Sequence, residues 1–293
     1  MNGIVYNGLR WSGIAWLWRE VVQRRIVTFL LFHDMEATDA ERNFAYLKRH
    51  YNIISLNDYL DAVHHGKRLP NKAIVITFDD GHASNYNLLP VIKKLEIPIT
   101  IFLCSSIVGT HRHFWFRHSA EIKPHVEALK KIPNEKRLEA LRQYSFEQEQ
   151  EYGDTQALSK EQIEEMKSWV NFQSHTCFHP ILPQCDDTTA EKEIKESKRQ
   201  LEETFGLTIN ALSYPNGDYS ERDIYLAQTA GYECGVTVDS GYNGIKSNLF
   251  RLKRFSVNDA ENTTELMVKA SGCYALLKHQ LHKPSYGFKA THE

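Results

Sequence analysis

At 293 residues the chain is long enough to bury a sizeable core, as one large α/β domain or two small ones. Hydrophobic residues make up 42% and charged residues 25%, ordinary for a soluble globular protein, and a formal net charge of -2 gives no electrostatic reason to expect nucleic acid as a partner. The 5 cysteines are scattered, odd in number and without a C-x-x-C pair, which argues against a disulfide framework and for a reducing compartment.

The N-terminal stretch has no clean apolar core leading to a small-residue cleavage site, so no secretory signal is expected. No run approaches the ~20 apolar residues of a membrane span, and the expected location is cytoplasmic. Leu9, Trp11, Ile14, Ala15, Trp16 and Trp18 are nevertheless concentrated beside Arg10, Arg19, Arg24 and Arg25. Such a segment either packs across the bottom of the domain, the preferred reading, or lies on a membrane surface as a peripheral contact.

Apolar and β-branched runs then alternate with helical patterns. Strands are predicted at Ile26–Phe32, Ala73–Phe78, Pro98–Leu103, Val170–Ser174, Ala211–Tyr214, Glu233–Val238 and Phe250–Val257. Helices are predicted at Asp39–His50, with Thr38 as cap, and at Asn57–His65, Asn85–Leu95, Lys160–Trp169, Thr188–Phe205 and Ser220–Ala230. So many β-α units point to a parallel sheet curled into a barrel. The stretch from about 116 to 159 is helical and charged, and reads as an insertion, with a solvated decoration preferred over a substrate-side cap. One or two helices are expected over Glu261–Leu281, and with no linker or repeat the chain counts as one domain, 1–293.

Two constellations carry chemistry. Thr77-Phe78-Asp79-Asp80-Gly81 ends an apolar strand, and the C-terminal ends of parallel strands are where active sites form. Adjacent carboxylates in a cleft repel unless something neutralises them, as a divalent cation would; the alternative is a simple strand-ending turn. His175-Thr176-Cys177-Phe178-His179 follows another strand. Histidines at i and i+4 would share one face of a helical turn and reach one metal ion, with Cys177 pointing away. One aspartate plus two histidines leave a coordination position open for water, the arrangement of a catalytic zinc site.

Together these segments resemble the first two motifs of the polysaccharide deacetylases, the NodB-homology or carbohydrate esterase family 4 group. The resemblance runs from Leu31-Phe32-His33 through Ile53–Ser55, Leu69-Pro70, the paired aspartates and Ile99–Leu103 to Arg254-Phe255-Ser256-Val257. It implies an α/β fold, a distorted (β/α)7-type barrel, and a metal-dependent hydrolase removing acetyl groups from N-acetylated amino sugars of a carbohydrate substrate. By resemblance Asp79 is the general base and Asp80, His175 and His179 hold the metal, Zn2+ first and Co2+ or Ni2+ as alternatives. Where many members carry Arg-Pro-Pro-Tyr, this chain has Ser213-Tyr214-Pro215-Asn216-Gly217. The arginine that steadies the catalytic aspartate is absent, with Arg254 a candidate substitute. The resemblance places oxyanion or substrate binding at Tyr214, Pro215 and the backbone N–H of Asn216. That variant motif, and an early histidine, resemble the poly-N-acetylglucosamine deacetylase subgroup, which makes His33 the general acid; Leu277-Lys278-His279 is a poor match to the late family motif. Histidine satisfied by Asp34 is the bland alternative for His33. The rival functions are hydrolysis of another acyl or amide substrate on the same fold, and a non-catalytic glycan-binding barrel.

Overall fold

Alternating side chains along the apolar runs sort into two cores on either side of a curled parallel sheet. The computed structural model describes residues 6, 8, 9, 11–259 and 262–274. Its strands are β1 (Thr28–Phe32), β2 (Asn52–Ile53), β3 (Ala73–Phe78), β4 (Ile99–Leu103), β5 (Val170–Ser174), β6 (Ala211–Ser213), β7 (Cys234–Val236) and β8 (Phe255–Ser256). They run in the order β7-β6-β5-β4-β3-β1-β8, every paired neighbour parallel, with β2 beside the start of β3. The 252–257 segment joins the two edges: Leu252 exchanges backbone hydrogen bonds with Gly235 and Thr237 beside β7, while β8 pairs with β1. The expected (β/α)7-type barrel is therefore present.

Period-2 alternation sets the two faces. Leu30, Phe32, Ile74, Ile76, Phe78, Ile101 and Leu103 face outward into the core shared with the helices. Val27, Phe29, Ala73, Val75, Phe102, Ala211, Cys234, Val236 and Leu252 form the second core, inside the curl. Both faces being buried, these strands read as continuous apolar runs rather than alternating ones.

The helices follow their caps. The first are α1 (Ile14–Val21), α2 (Ala37–His50) and α3 (Leu56–His65). Ser55 closes a capping box with Asp58 on α3, but α2 starts at Ala37 after an extended Glu36 that makes no side-chain cap, so Thr38 is inside the helix rather than its cap. Next come α4 (Leu89–Leu95), preceded by a 3-10 turn at Ala83–Leu88, then α5 (Val126–Leu129), α6 (Asn134–Arg142), α7 (Lys160–Met166), α8 (Asp187–Phe205), α9 (Glu221–Thr229) and α10 (Thr263–Ala270). Ser159, Asp186 and Ser220 accept from N3 backbone groups as caps of α7, α8 and α9. The expected second C-terminal helix, like Leu277-Lys278-His279, falls outside the described residues.

The insertion differs from a solvated decoration. Trp115, Ile122, Leu129, Leu141 and Phe146 form its own small core. The indole of Trp115 donates to the backbone carbonyl of His179 at 2.9 Å, so the insertion is fastened to the end of the barrel that carries the histidines. At the N-terminus both sequence readings have a counterpart: Ala15 packs with Tyr6, Val268 and Cys273, while Trp11, Ile14, Trp16, Leu17 and Val21 are exposed.

Candidate active site

Asp79 follows β3 on the face of Val75 and Thr77, which turns its carboxylate into the curl. Its backbone N–H donates to the Phe32 carbonyl at 3.0 Å, fixing the strand end. Arg254, which leads into β8 and is buried, meets it with a fork: its two terminal nitrogens donate to Asp79 Oδ1 at 2.8 Å and Oδ2 at 2.7 Å. Two such parallel bonds fix both distance and plane. The guanidinium is itself placed by the Thr237 carbonyl (2.8 Å), Thr77 Oγ1 (3.2 Å) and Ser213 Oγ (2.9 Å). Ser213 also donates to Asp79 Oδ2 at 3.0 Å. The position that lacks arginine thus contributes a hydroxyl to the same carboxylate, and the arginine arrives from a different strand. Burial alone would push the Asp79 carboxyl up; Arg254 overcomes it and, with the nearby His175 and His33, holds it below its ordinary value.

Asp80 turns the other way, at φ 75, and Gly81 follows at φ 76. A side chain at Gly81 would collide with Leu103, its Cβ landing 2.6 Å from the leucine Cδ2, so the turn requires glycine. Asp80 Oδ1 lies 3.4 Å from Nε2 of both His175 and His179. The donor atoms of these three buried residues all fall within 4.8 Å of one another. His175 Nδ1 faces the Ser213 carbonyl at 2.7 Å and must donate to it, which leaves the Nε2 lone pair turned toward Asp80.

The histidines converge without a helix. Residues 175–179 form an irregular loop, with Thr176 at φ 65 and His179 at φ 56, which corrects the helical-turn reading. A β-branched residue in the left-handed region is unfavourable and survives only where its surroundings dictate it. They do so here. Glu193, buried on α8, accepts the backbone N–H groups of Cys177 and Phe178 at 2.8 and 2.9 Å. Thr176 Oγ1 accepts the His179 N–H at 3.2 Å. Cys177 Sγ lies 3.6 Å from the Glu193 backbone carbonyl, a placement set by the loop rather than by the helical turn on which its expected direction rested.

Does this donor set suit a cation? Asp80 Oδ1 is buried and has no hydrogen-bond partner. Asp79 has Arg254 to offset its charge, whereas Asp80, which burial pushes up but His175, His82 and His179 hold well below its ordinary value, has no arginine or lysine beside it. Burial pushes the His179 imidazole down to about 3 despite the pull of Asp80, so this ring is neutral at ordinary pH, the form that can ligate a cation. Burial also disfavours charge on His175, but Asp79 and Asp80 outweigh it and raise its value. Two imidazole nitrogens and one carboxylate oxygen, facing one point, fit a divalent metal with a position left open.

The remaining expected residues are placed unequally. His33 stands half-buried at the end of β1, near enough to Asp79 to lower its pKa. Its backbone is clamped, the N–H by Asp259 Oδ1 at 2.9 Å and the carbonyl by Asn85 at 2.8 Å. Asp34, the partner of the bland reading, is instead engaged by Ser84 and Arg117. Asn216 is half-buried at φ 58. Tyr214 and Pro215 are buried, and the Tyr214 hydroxyl donates to the Phe250 carbonyl at 3.1 Å, so these two shape the turn that carries Asn216 rather than offer side chains to a ligand. Phe114 and Trp115 are core, whereas Phe116 is half-buried with its ring 4.8 Å from that of His179. One residue was missed from sequence. His82, buried, places Nε2 3.0 Å from Asp80 Oδ2. Its position directly after Asp79-Asp80-Gly81 was the available signal.

The chain matches the polysaccharide deacetylase family over residues 66–235, more than half of its length. It is 26% identical over 194 residues to the YxkH protein of Bacillus subtilis (strain 168), covering 66% of this chain and 54% of that one; the match thus spans about half the length of that relative. It is 25% identical over 246 residues to the poly-beta-1,6-N-acetyl-D-glucosamine N-deacetylase of Staphylococcus epidermidis, covering 78% of this chain and 71% of that one. Among solved structures, the Streptococcus pyogenes deacetylase PplD in complex with acetate shares the fold, with a TM-score of 0.63 at 20% identity over 84% of this chain and 99% of that one.

Proposed function

The chain belongs to the polysaccharide deacetylase family, and from that premise we propose that it hydrolyses the N-acetyl group of amino sugars in a glycan or glycan precursor. The observation that carries this is the buried Asp80–His175–His179 donor set beside an Asp79 carboxylate held by Arg254, with Asp79 Oδ2 3.9 Å from His175 Nε2. A divalent cation held by Asp80, His175 and His179, Zn2+ being our assignment, supplies Lewis-acid chemistry for the acetyl carbonyl and for water.

The protein's own groups do the rest. Arg254 and Ser213 keep Asp79 ionised and oriented, so that it accepts the proton of the attacking water. The backbone N–H of Asn216, on its left-handed turn, stabilises the oxyanion. His33, across the site, donates a proton to the departing amine. The S. epidermidis relative acts on poly-beta-1,6-N-acetyl-D-glucosamine by its name, which supports an N-acetylglucosamine-containing substrate.

Asp79→Asn tests this assignment: the variant retains metal but loses on the order of 10²–10⁴ in acetate release. Near-normal release overturns it.

Among the described residues no helix is long and apolar enough to cross a membrane. Exposed Trp11, Trp16, Leu17 and Val21 beside exposed Arg24 and Arg25 support a peripheral contact with anionic lipid. The five free, buried cysteines support a cytoplasmic setting. Absence of co-flotation with anionic vesicles would refute the membrane contact, and flotation that survives Trp16→Ser with Leu17→Ser would refute its assignment to this helix.

A further inference from the structure

His82 lies at the centre of the site and takes no part in the reaction just described. Its imidazole bridges two charged groups: Nε2 is 3.0 Å from Asp80 Oδ2, and Nδ1 is 3.1 Å from a terminal nitrogen of Arg117. A guanidinium can only donate. Nδ1 is therefore an acceptor, and the ring proton sits on Nε2, aimed at Asp80. The ring is further confined by Phe114, edge-on with centroids 4.9 Å apart, and its backbone pairs with Ala157 on the far side of the insertion.

Arg117 is anchored in turn. The same nitrogen donates to Asp34 Oδ2 at 2.9 Å, and Asp34 also takes the Ser84 hydroxyl. The two oxygens of Asp80 are thereby divided: Oδ2 belongs to His82, while Oδ1 has no hydrogen-bond partner and faces the Nε2 atoms of His175 and His179. Without His82 nothing distinguishes the two oxygens, and a buried Oδ2 is left bare. With the other tautomer, a ring lone pair would face the carboxylate.

We propose that His82 is a positioning residue for metal binding. Held by Arg117 in its Nε2–H form, it pins Asp80 Oδ2 so that Oδ1 is presented to the cation. The insertion, through Arg117, thus reaches the metal site that the barrel builds. The proposal rests on the deacetylase reading only for which residues bind the metal, and it is tested without substrate, so its failure leaves acetate release untouched.

The experiment titrates Zn2+ into metal-stripped protein against a chromophoric chelator and records the thermal midpoint of the stripped protein in parallel. His82→Ala is expected to weaken Zn2+ by about 10–100-fold, the size that loss of an outer-shell partner produces, with the stripped midpoint lowered but still showing a folded protein. His82→Gln, whose amide nitrogen reaches the place of Nε2, is expected to restore most of the affinity. Arg117→Ala, at an exposed position, weakens Zn2+ in the same direction and carries the test if alanine at 82 does not fold. Zn2+ affinity within about threefold of the unmodified protein in His82→Ala overturns the proposal, as does failure of glutamine to rescue or an unaffected Arg117→Ala.

Discussion

Replacing Arg254 with methionine removes the positive half of a fully buried pair while keeping most of the side-chain volume. Two charge-assisted hydrogen bonds to Asp79, at 2.8 and 2.7 Å, disappear, and the buried Asp79 carboxylate is left with the Ser213 hydroxyl alone in place of a cation. Breaking one side of such a pair costs about 3–5 kcal/mol, a large part of the roughly 5–15 kcal/mol by which domains are stable. Asp79 can escape part of that cost by taking up a proton. Burial pushes its pKa up and Arg254 is the main group pulling it down, with His175 and His33 behind it, so the variant's carboxyl titrates higher than in the parent protein. A protonated Asp79 is no base, and acetate release should fall by about 10²–10⁴ near neutral pH, with the acid limb of the profile displaced to higher pH. Urea unfolding gives the first number and acetate release against pH the second. The double variant Arg254→Met with Asp79→Leu separates the effects: with both charges gone it should recover most of the stability and none of the activity. An Arg254→Met protein within about 0.5 kcal/mol of the parent, with an unshifted pH profile, would refute the reasoning.

Two other substitutions address groups the site depends on. His33→Gln should lower kcat/KM by about 10²–10⁴ while leaving Zn2+ affinity unchanged; a matching loss of metal would show that His33 serves the ligand set instead. Glu193→Ala strips the acceptor from a buried and a partly buried N–H group in the histidine loop, at about 1–3 kcal/mol for the buried one. Urea unfolding should show that loss together with weakened Zn2+ binding, and Glu193→Gln, which keeps a carbonyl oxygen, should show less of both.

The barrel was legible because its strands are buried on both faces and therefore stand out as unbroken apolar runs. Ala73–Phe78 and Val170–Ser174 coincide with their predicted bounds. The strand Asn52–Ile53 was invisible, two residues being too few to show a period. Phe250–Val257 divides into a 3-10 turn at Leu249–Arg251, a bridge at Leu252 and the short β8, since the segment must cross from β7 to β1 to close the sheet. The ligand residues were readable from their types and their places after strands, but the loop between the histidines was not. Its left-handed Thr176 and His179 are imposed by Glu193 and by the insertion, contacts no local pattern records. Arg254 was a candidate only through the gap at Ser213; its fork to Asp79 is a matter of register across the closing strand. His82 escaped because a histidine after a turn is unremarkable until its ring is found between Asp80 and Arg117.

Acetate release from N-acetylglucosamine oligomers by protein carrying one equivalent of Zn2+ is the most direct measurement of all. The expected result is release that stops when the metal is chelated, resumes on adding Zn2+, and is absent in Asp79→Asn at full metal occupancy. Protein that binds Zn2+ through Asp80, His175 and His179 yet frees no acetate from any N-acetylated glycan would contradict the deacetylase assignment.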